Sequence, residues 1–241
     1  MEEWMMTRFV VEDDVWAIFP HAKIGVVVAQ GIDNGIKNAS VYEQMLREAE
    51  KEARKFLEFE ELSRNPVIVV WREAFRRFKT KKGARCSVEA LLKRVKNGQH
   101  IRTINPLVDI YNSVSLRYGL PCGGEDIDTF VGDIRLALAD GHEPFIPLGG
   151  EENDPPYEGE IVYKDDVGAI CRCWNWREAQ RTMLTEQTKH AFLCIESIDD
   201  TRHEALHQAL EELAYSVRHY LGGTVKMHIL DAHHSEISIT D

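Results

Sequence analysis

The order in which the hydrophobic periodicities occur constrains this chain most. Three- and four-residue apolar spacing fills the stretch from Ser40 to Gly119, whereas Asp133 to Ser197 breaks into short strand-forming runs between Gly, Pro, Asn and Asp clusters. A doubly wound parallel sheet needs strict alternation of strand and helix. Blocks of each kind predict an α+β fold built in layers. Strands are expected at Arg8–Val11, Lys23–Ala29, Ile134–Ala139, Pro144–Leu148, Gly159–Lys164, Val167–Trp174 and Ala191–Glu196, with two more at Val225–Leu230 and Glu236–Ile239.

The helix signals are local and chemical. Ser40–Leu62 reads as one amphipathic helix with Ser40 and Glu43 as a capping box, stopped at Asn65-Pro66, which opens a second helix over Val67–Phe78. Ser87–Val95 follows, closed by Gly98. Asn105-Pro106 caps a helix carrying Leu107, Ile110, Tyr111, Val114 and Leu116, ended by Gly119 and Pro121. A last helix, Thr201–Leu221, has Thr201 and Glu204 as its box and stops at Gly222-Gly223.

A chain of 241 residues buries about 70% of its unfolded surface, so one unit over residues 1–241 is expected. Residues 1–101 would form its helical, basic portion and residues 102–241 its motif-bearing core. No apolar run approaches the ~20 residues of a membrane helix, and no basic start followed by an apolar stretch marks a secretion signal. Five cysteines without framework spacing point to reduced thiols, hence to the cytoplasm and away from membranes.

The net charge of −11 disfavours a polyanionic partner until its distribution is read. Arg72, Arg76, Arg77, Lys79, Lys81, Lys82, Arg85, Lys93, Arg94, Lys96 and Arg102 face only Glu73 and Glu89, a local +9 that leaves −20 on the rest. Such asymmetry suits a phosphate backbone, with Arg72, Arg76, Arg77, Lys79, Lys81, Lys82 and Arg85 as the candidate RNA contacts, or else a solvated helical face.

Several residue types suggest chemistry. Asn105, Asp109 and Asn112 share a helical face, so Asn112 either aims an amide at the following turn or is merely solvated. Gly123-Gly124 offers two unobstructed backbone N–H groups to an oxyanion, or is a tight turn. Cys122 beside them is a candidate nucleophile. Cys171 and Cys173 alternate on a strand, as do Arg172, Trp174 and Trp176, the latter three giving a stacking surface or a packed core. Arg177 and Arg181 would meet phosphate if helical. His228, His233, His234 and Glu236 form only a loose cluster, and neither metal nor cofactor is expected.

The run Ile104-Asn105-Pro106-Leu107-Val108-Asp109-Ile110-Tyr111-Asn112, the Gly119/Pro121 turn, Gly132-Asp133-Ile134, and Thr188 followed by Phe192-Leu193-Cys194-Ile195-Glu196 carry a resemblance. In that order they resemble the B3/B4 domain of the phenylalanyl-tRNA synthetase beta subunit, an editing module that removes wrongly attached amino acids from tRNA. The resemblance implies a layered β/β/α fold, Glu196, Asn112, Gly123 and Gly124 as catalytic residues, and Tyr111, Cys122, Cys173, Trp174 and Thr188 as substrate pocket. Its departures are specific. Tyr111 replaces a threonine of the family pattern, Gly123 replaces its histidine, and Cys171–Arg177 replaces a glycine-rich wall. The function implied is hydrolysis, in trans, of the ester at the aminoacylated 3′ end of a mischarged tRNA. The rivals are a binding module for tRNA or an amino-acid-like ligand, and a small-molecule enzyme using the same pocket.

Overall fold

The computed structural model describes residues 7–240. Its elements, in chain order, are β1 (Arg8–Val11), α1 (Asp13–Ile18), β2 (Lys23–Gln30), α2 (Ala39–Ala53), α3 (Pro66–Ala74), α4 (Ser87–Lys96), α5 (Pro106–Tyr118), β3 (Cys122–Asp126), β4 (Ile134–Leu138), β5 (Ile161–Asp165), β6 (Gly168–Arg172), β7 (Arg177–Glu178), β8 (His190–Ser197), α6 (His203–Leu221), β9 (Thr224–Leu230) and β10 (Glu236–Ser238). They form a six-stranded sheet, β10-β1-β4-β5-β6-β7, and a four-stranded sheet, β3-β8-β2-β9.

The layering follows from strands that are apolar on both faces. On β2, Ile24, Val26 and Val28 join Phe9, Leu136, Tyr163 and Phe192 in the core between the sheets. Val27 and Ala29 point the other way, into a core with Leu107, Ile110, Leu206 and Leu213 of α5 and α6. A period of two thus buries both faces of β2, because one meets a sheet and the other meets helices. Gly25 lets α6 sit close, since a Cβ there would lie 3.1 Å from Leu210. The result is an α+β stack of sheet, sheet and helices, the β/β/α order expected. No described helix is long and apolar enough to cross a membrane. Because β1 and β2 belong to the two sheets, residues of the 1–101 stretch share cores with the remainder.

Local differences from the sequence reading have identifiable causes. α2 ends at Ala53 and gives way to a short 3-10 turn at Arg54–Phe56, with another at Leu62–Arg64, so Ser40–Leu62 is not one helix. The Ser40 hydroxyl donates to Asn38 Oδ1 at 2.7 Å instead of capping. Asp199 accepts from Thr201 N at 2.9 Å, and α6 starts only at His203, displacing the Thr201/Glu204 box. Pro144–Leu148 is no strand; proline has no N–H for a ladder, and Pro147 makes only an isolated bridge to Ala179. α5 is as read, with Asn105 Oδ1 accepting from Val108 N at 3.2 Å and Gly119 in the left-handed region at φ 60°.

The largest difference lies at Gly123-Gly124. They form no turn but the middle of β3, opposite Cys194 and Leu193 of β8. Glycine is poor in strands, which hid this one. Here its lack of a side chain is needed, because a Cβ on Gly124 would come within 2.4 Å of Leu193.

Candidate functional site

A cavity of about 280 Å³ opens between the sheets at the edge where β3 bounds one and β7 bounds the other. Gly123, Glu125, Phe192, Cys194 and Glu196 share the inward face of β3 and β8. Tyr163, Cys171 and Glu178 form the opposite wall. The space stays open because β7 is two residues long and Gly123 contributes no side chain.

The roof is the turn from β6 to β7. Cys173 at φ 47° and Trp174 at φ 66° hold left-handed conformations that cost non-glycine residues on the order of 1 kcal/mol each. Where the family pattern is rich in glycine, this chain keeps glycine-like backbone under large side chains. The turn brings Asn175 Nδ2 to 3.2 Å from Glu196 Oε2 and seats the Trp174 indole on the cavity, packed against Trp71 and Phe19 at ring-centroid distances of 5.2 and 4.9 Å.

Three carboxyl groups reach this space, Glu196 and Glu125 buried and Glu178 half-buried. Glu196 receives the Tyr163 hydroxyl at 2.7 Å as well as Asn175, yet burial outweighs these bonds and pushes its pKa up to about 7. Glu178 is raised by burial and partly offset by the Gly124 N–H. Glu125 is raised by burial and then by the neighbouring Glu178. Its Oε2 is buried without a hydrogen-bond partner, as are Asn175 Oδ1, Trp174 Nε1 and Ser87 Oγ. The Glu125 carboxyl also has the Thr182 hydroxyl beside it, and the Trp174 indole lies close to Glu196, so the polar groups around the cavity are only partly satisfied by one another. No group of three or more His, Cys, Asp or Glu side chains among the described residues is arranged to hold a metal ion.

A wider trough of about 1040 Å³ adjoins the cavity, the two sharing Ser87, Cys122, Trp176 and Glu178. Tyr111 and Asn112 of α5 line this trough, with Arg94, His100 and Arg102 on its other side.

Among the residues singled out from the sequence, Glu196, Gly123, Gly124, Cys122 and Trp174 do meet at the cavity. Successive amides of an antiparallel strand point to opposite edges. With Glu196 N donating to Pro121 O at 3.1 Å, the register turns Gly123 N–H into the ladder and Gly124 N–H outward to Glu178. The two glycine amides therefore do not converge on one oxyanion, which departs from the oxyanion reading as the strand departs from the turn reading. Cys122 is buried and its pKa is raised well above the usual thiol value, so it is held as a thiol and not a thiolate. Cys173 lies off the cavity, its Sγ accepting from Lys81 N at 3.5 Å. Thr188 is also elsewhere, donating to Asp126 Oδ2 at 2.6 Å. Arg172, Trp174 and Trp176 do not share a strand face, because the chain turns between them.

Most of the basic segment is exposed, and several of its side chains also have partners within the protein. Arg72 grips buried Glu89 at 2.6 Å, and Arg85 approaches the same carboxylate at 3.6 Å. Lys81 pairs with Asp154, Arg77 donates to the Ile18 carbonyl over the Phe19 ring, and Lys79 lies over Tyr157. Arg76 pairs with Glu73 at the surface, and Lys82 is exposed. Arg177 is in a strand, and Arg181 takes both oxygens of Asp165 at 2.8 and 2.9 Å, so they form no helical pair. At the C-terminal end Asp231 accepts the His233 and His234 amides in a turn between β9 and β10.

A model of the B3/4 domain matches residues 70–222, a span that includes every cavity residue named above. The chain belongs to the B3/4 domain family. This B3/4 protein is 36% identical over 93 residues to the phenylalanine–tRNA ligase beta subunit of Psychrobacter arcticus, covering 39% of this chain and 11% of that one. Against the same subunit from Shewanella oneidensis the figures are 35% over 65 residues, 27% and 8%. For Streptococcus pneumoniae serotype 4 they are 46% over 55 residues, 22% and 7%. The matched stretches thus span no more than about a tenth of these curated relatives. Among solved structures, an N-terminal fragment of the phenylalanyl-tRNA synthetase beta-subunit from Pyrococcus horikoshii is similar over 93% of this chain and 53% of that chain, at 14% identity and a TM-score of 0.46.

Glu125, Glu178, Tyr163 and Asn175 of this B3/4 protein escaped the sequence reading. One signal existed for Glu125. Had β3 been read as a strand, Glu125 would have followed Gly123 onto the same face. Glu178, in a polar tract, carried none.

Proposed function

We propose that this protein hydrolyses the ester of an aminoacyl-tRNA in trans, with the aminoacyl group in the inter-sheet cavity and the tRNA 3′ end in the adjoining trough. The observation that carries the reading is Glu196, a carboxyl with a pKa near 7 on a cavity wall, oriented by Tyr163 and Asn175. A base tuned to the working pH is what water activation needs. Glu196 takes a proton from water as its oxygen bonds to the acyl carbon. Collapse then breaks the carbon–oxygen bond to the ribose, and the proton passes to the departing oxygen. Burial that holds Glu196 near neutrality also keeps bulk water from competing. A tRNA partner is supported by relatives that are subunits of a phenylalanine–tRNA ligase, and by Arg94 and Arg102 beside the entrance.

The divergent amides of Gly123 and Gly124 favour a second reading, in which the fold binds its ligand without chemistry. A panel of aminoacyl-tRNAs, incubated with wild type, Glu196→Gln and Asn112→Ala, separates the two. Release of amino acid by wild type that falls ~10²–10⁴-fold in Glu196→Gln is the expected outcome. Release that the substitution leaves untouched removes Glu196 from the chemistry, and no release from any member leaves the binding reading.

A further inference from the structure

We propose that Glu125 and Glu178 form a seat for an ammonium group, so that the ligand of the inter-sheet cavity carries a protonated amine. The inference rests on the reading of that cavity as the ligand site, and it concerns recognition instead of hydrolysis. Glu125 is 6% exposed and lines the cavity; the Thr182 hydroxyl stands beside its carboxyl, but Oε2 has no partner in hydrogen-bond geometry. Glu178 borders both cavity and trough, one oxygen lying 3.6 Å from where a Gly123 Cβ would stand.

No cation among the described residues is seen paired with either carboxyl. The guanidinium of Arg181 is taken by Asp165 at 2.8 and 2.9 Å, and Arg177, which also borders the cavity, is exposed. The other groups around them add no positive charge: Asp126 next to Glu125, the Tyr111 phenol from α5, the Cys171 thiol from β6, and Glu196 with Cys194 across the space. Two neighbouring carboxyls hold protons to avoid like charge, and a bound cation relieves the same repulsion. An ammonium offers three N–H donors and a positive charge, where a hydroxyl offers one donor without charge and a methyl neither. Trp174, Phe192 and Leu148 supply apolar surface for the hydrocarbon that accompanies such a group.

Amides test this without being consumed as esters would be. Calorimetric titration of the whole protein would use the amides of L-alanine, L-leucine and L-phenylalanine, each beside its desamino counterpart, together with Nα-acetyl-L-lysinamide. At least one amine is expected to bind ~10-fold or more tightly than its uncharged partner. Its heat should vary with the ionisation enthalpy of the buffer, because protons leave the carboxyl pair, and affinity should rise with pH until the amine itself titrates. Glu125→Gln and Glu178→Gln should each weaken binding ~10-fold or more. Preference for the amino-acid amides assigns the seat to an α-ammonium, and preference for Nα-acetyl-L-lysinamide to a side-chain amine. Absence of binding by every amine, equal binding of the desamino compounds, or unaltered affinity in both variants overturns the proposal. The desamino comparison on wild type stands even where a variant fails to fold. The wild-type protein keeps the two readings apart: amine binding without hydrolysis of any aminoacyl-tRNA sinks only the hydrolase, and hydrolysis without amine selectivity sinks only the seat.

Discussion

The strands β6 and β7 border two clusters of buried charge that were solved in opposite ways. On one side Arg172, fully buried, donates to Glu160 at 2.6 and 3.0 Å and to the Asp154 carbonyl at 2.8 Å, with its cation over the Phe145 and Tyr157 rings. On the other, only six residues along the chain from Arg172, Glu178 joins Glu125 and Glu196 around open space whose one bordering arginine, Arg177, is exposed. Taking charge from water costs several kcal/mol per ion, so a folded chain pairs it or protonates it. The first cluster is paired and has nothing left to offer a ligand. The second is left unpaired, with its carboxyls raised towards neutrality, and chemistry belongs there.

Arg172→Ala should give the largest effect in this contrast, a loss of about 3–5 kcal/mol in urea unfolding, because Glu160 would remain buried without its partner. A loss under about 1 kcal/mol would mean that water or Lys81 takes over, and the two clusters would no longer differ in kind.

Glu196→Gln should act in the other direction. The carboxyl is raised from 4.5 to about 7 in the folded protein, so between these pH values the folded state binds a proton that the unfolded state has released. Stability from this group is therefore complete below pH 4.5 and declines as pH rises, by about 3 kcal/mol on reaching pH 7. Glutamine removes the decline, and unfolding measured from pH 4.5 to pH 7 should be flatter in the variant. Equal slopes would show that Glu196 titrates normally. If it is the base, the part of hydrolysis lost in Glu196→Gln should itself rise with pH through about 7.

The same distinction between committed and available groups separates the arginines. Arg72 and Arg85 serve Glu89, whereas Arg94 and Arg102 are exposed beside the trough. Reversing Arg94 and Arg102 should lower the log–log salt slope of tRNA binding by roughly 0.7–0.9 per lost phosphate contact. Reversing Arg76 and Lys82 should change it less. A larger change from the second pair would return the RNA contact to the turn near Lys82.

Much of the frame was legible because it is periodic or punctuated. β2, β8, α5 and α6 announce themselves by apolar spacing, and Asn105, Gly119 and Gly222 mark real ends. The site was legible only where a motif marked it, as at Glu196. Glu125 and Glu178 matter through a partner in another sheet, and no local pattern encodes that meeting. The left-handed pair Cys173-Trp174 was equally silent, since nothing in two non-glycine residues of these types foretells positive φ. The partners of Arg72, Arg85 and Lys81 were illegible for the converse reason: Glu89 and Asp154 meet them through contacts that a charge count along the chain cannot register.

Gly123 and Gly124 sharpen the contrast to single atoms. A Cβ on Gly124 would lie 2.4 Å from Leu193 and 3.0 Å from Leu184, so Gly124→Ala should cost about 1–3 kcal/mol through overpacking. At Gly123 the nearest atoms are Glu178 Oε1 at 3.6 Å and Cys194 Sγ at 3.9 Å, ordinary contacts at the edge of the cavity. Gly123→Ala should change unfolding free energy by less than about 0.5 kcal/mol, while its methyl group takes up space a ligand would occupy. Thermal melts should then separate the two glycines in one order, and ligand affinity per folded molecule in the reverse order. If Gly123→Ala binds ligand as wild type does, the inner wall at β3 is not where the ligand rests, and the cavity's three carboxyls would have to be approached from the β7 side alone.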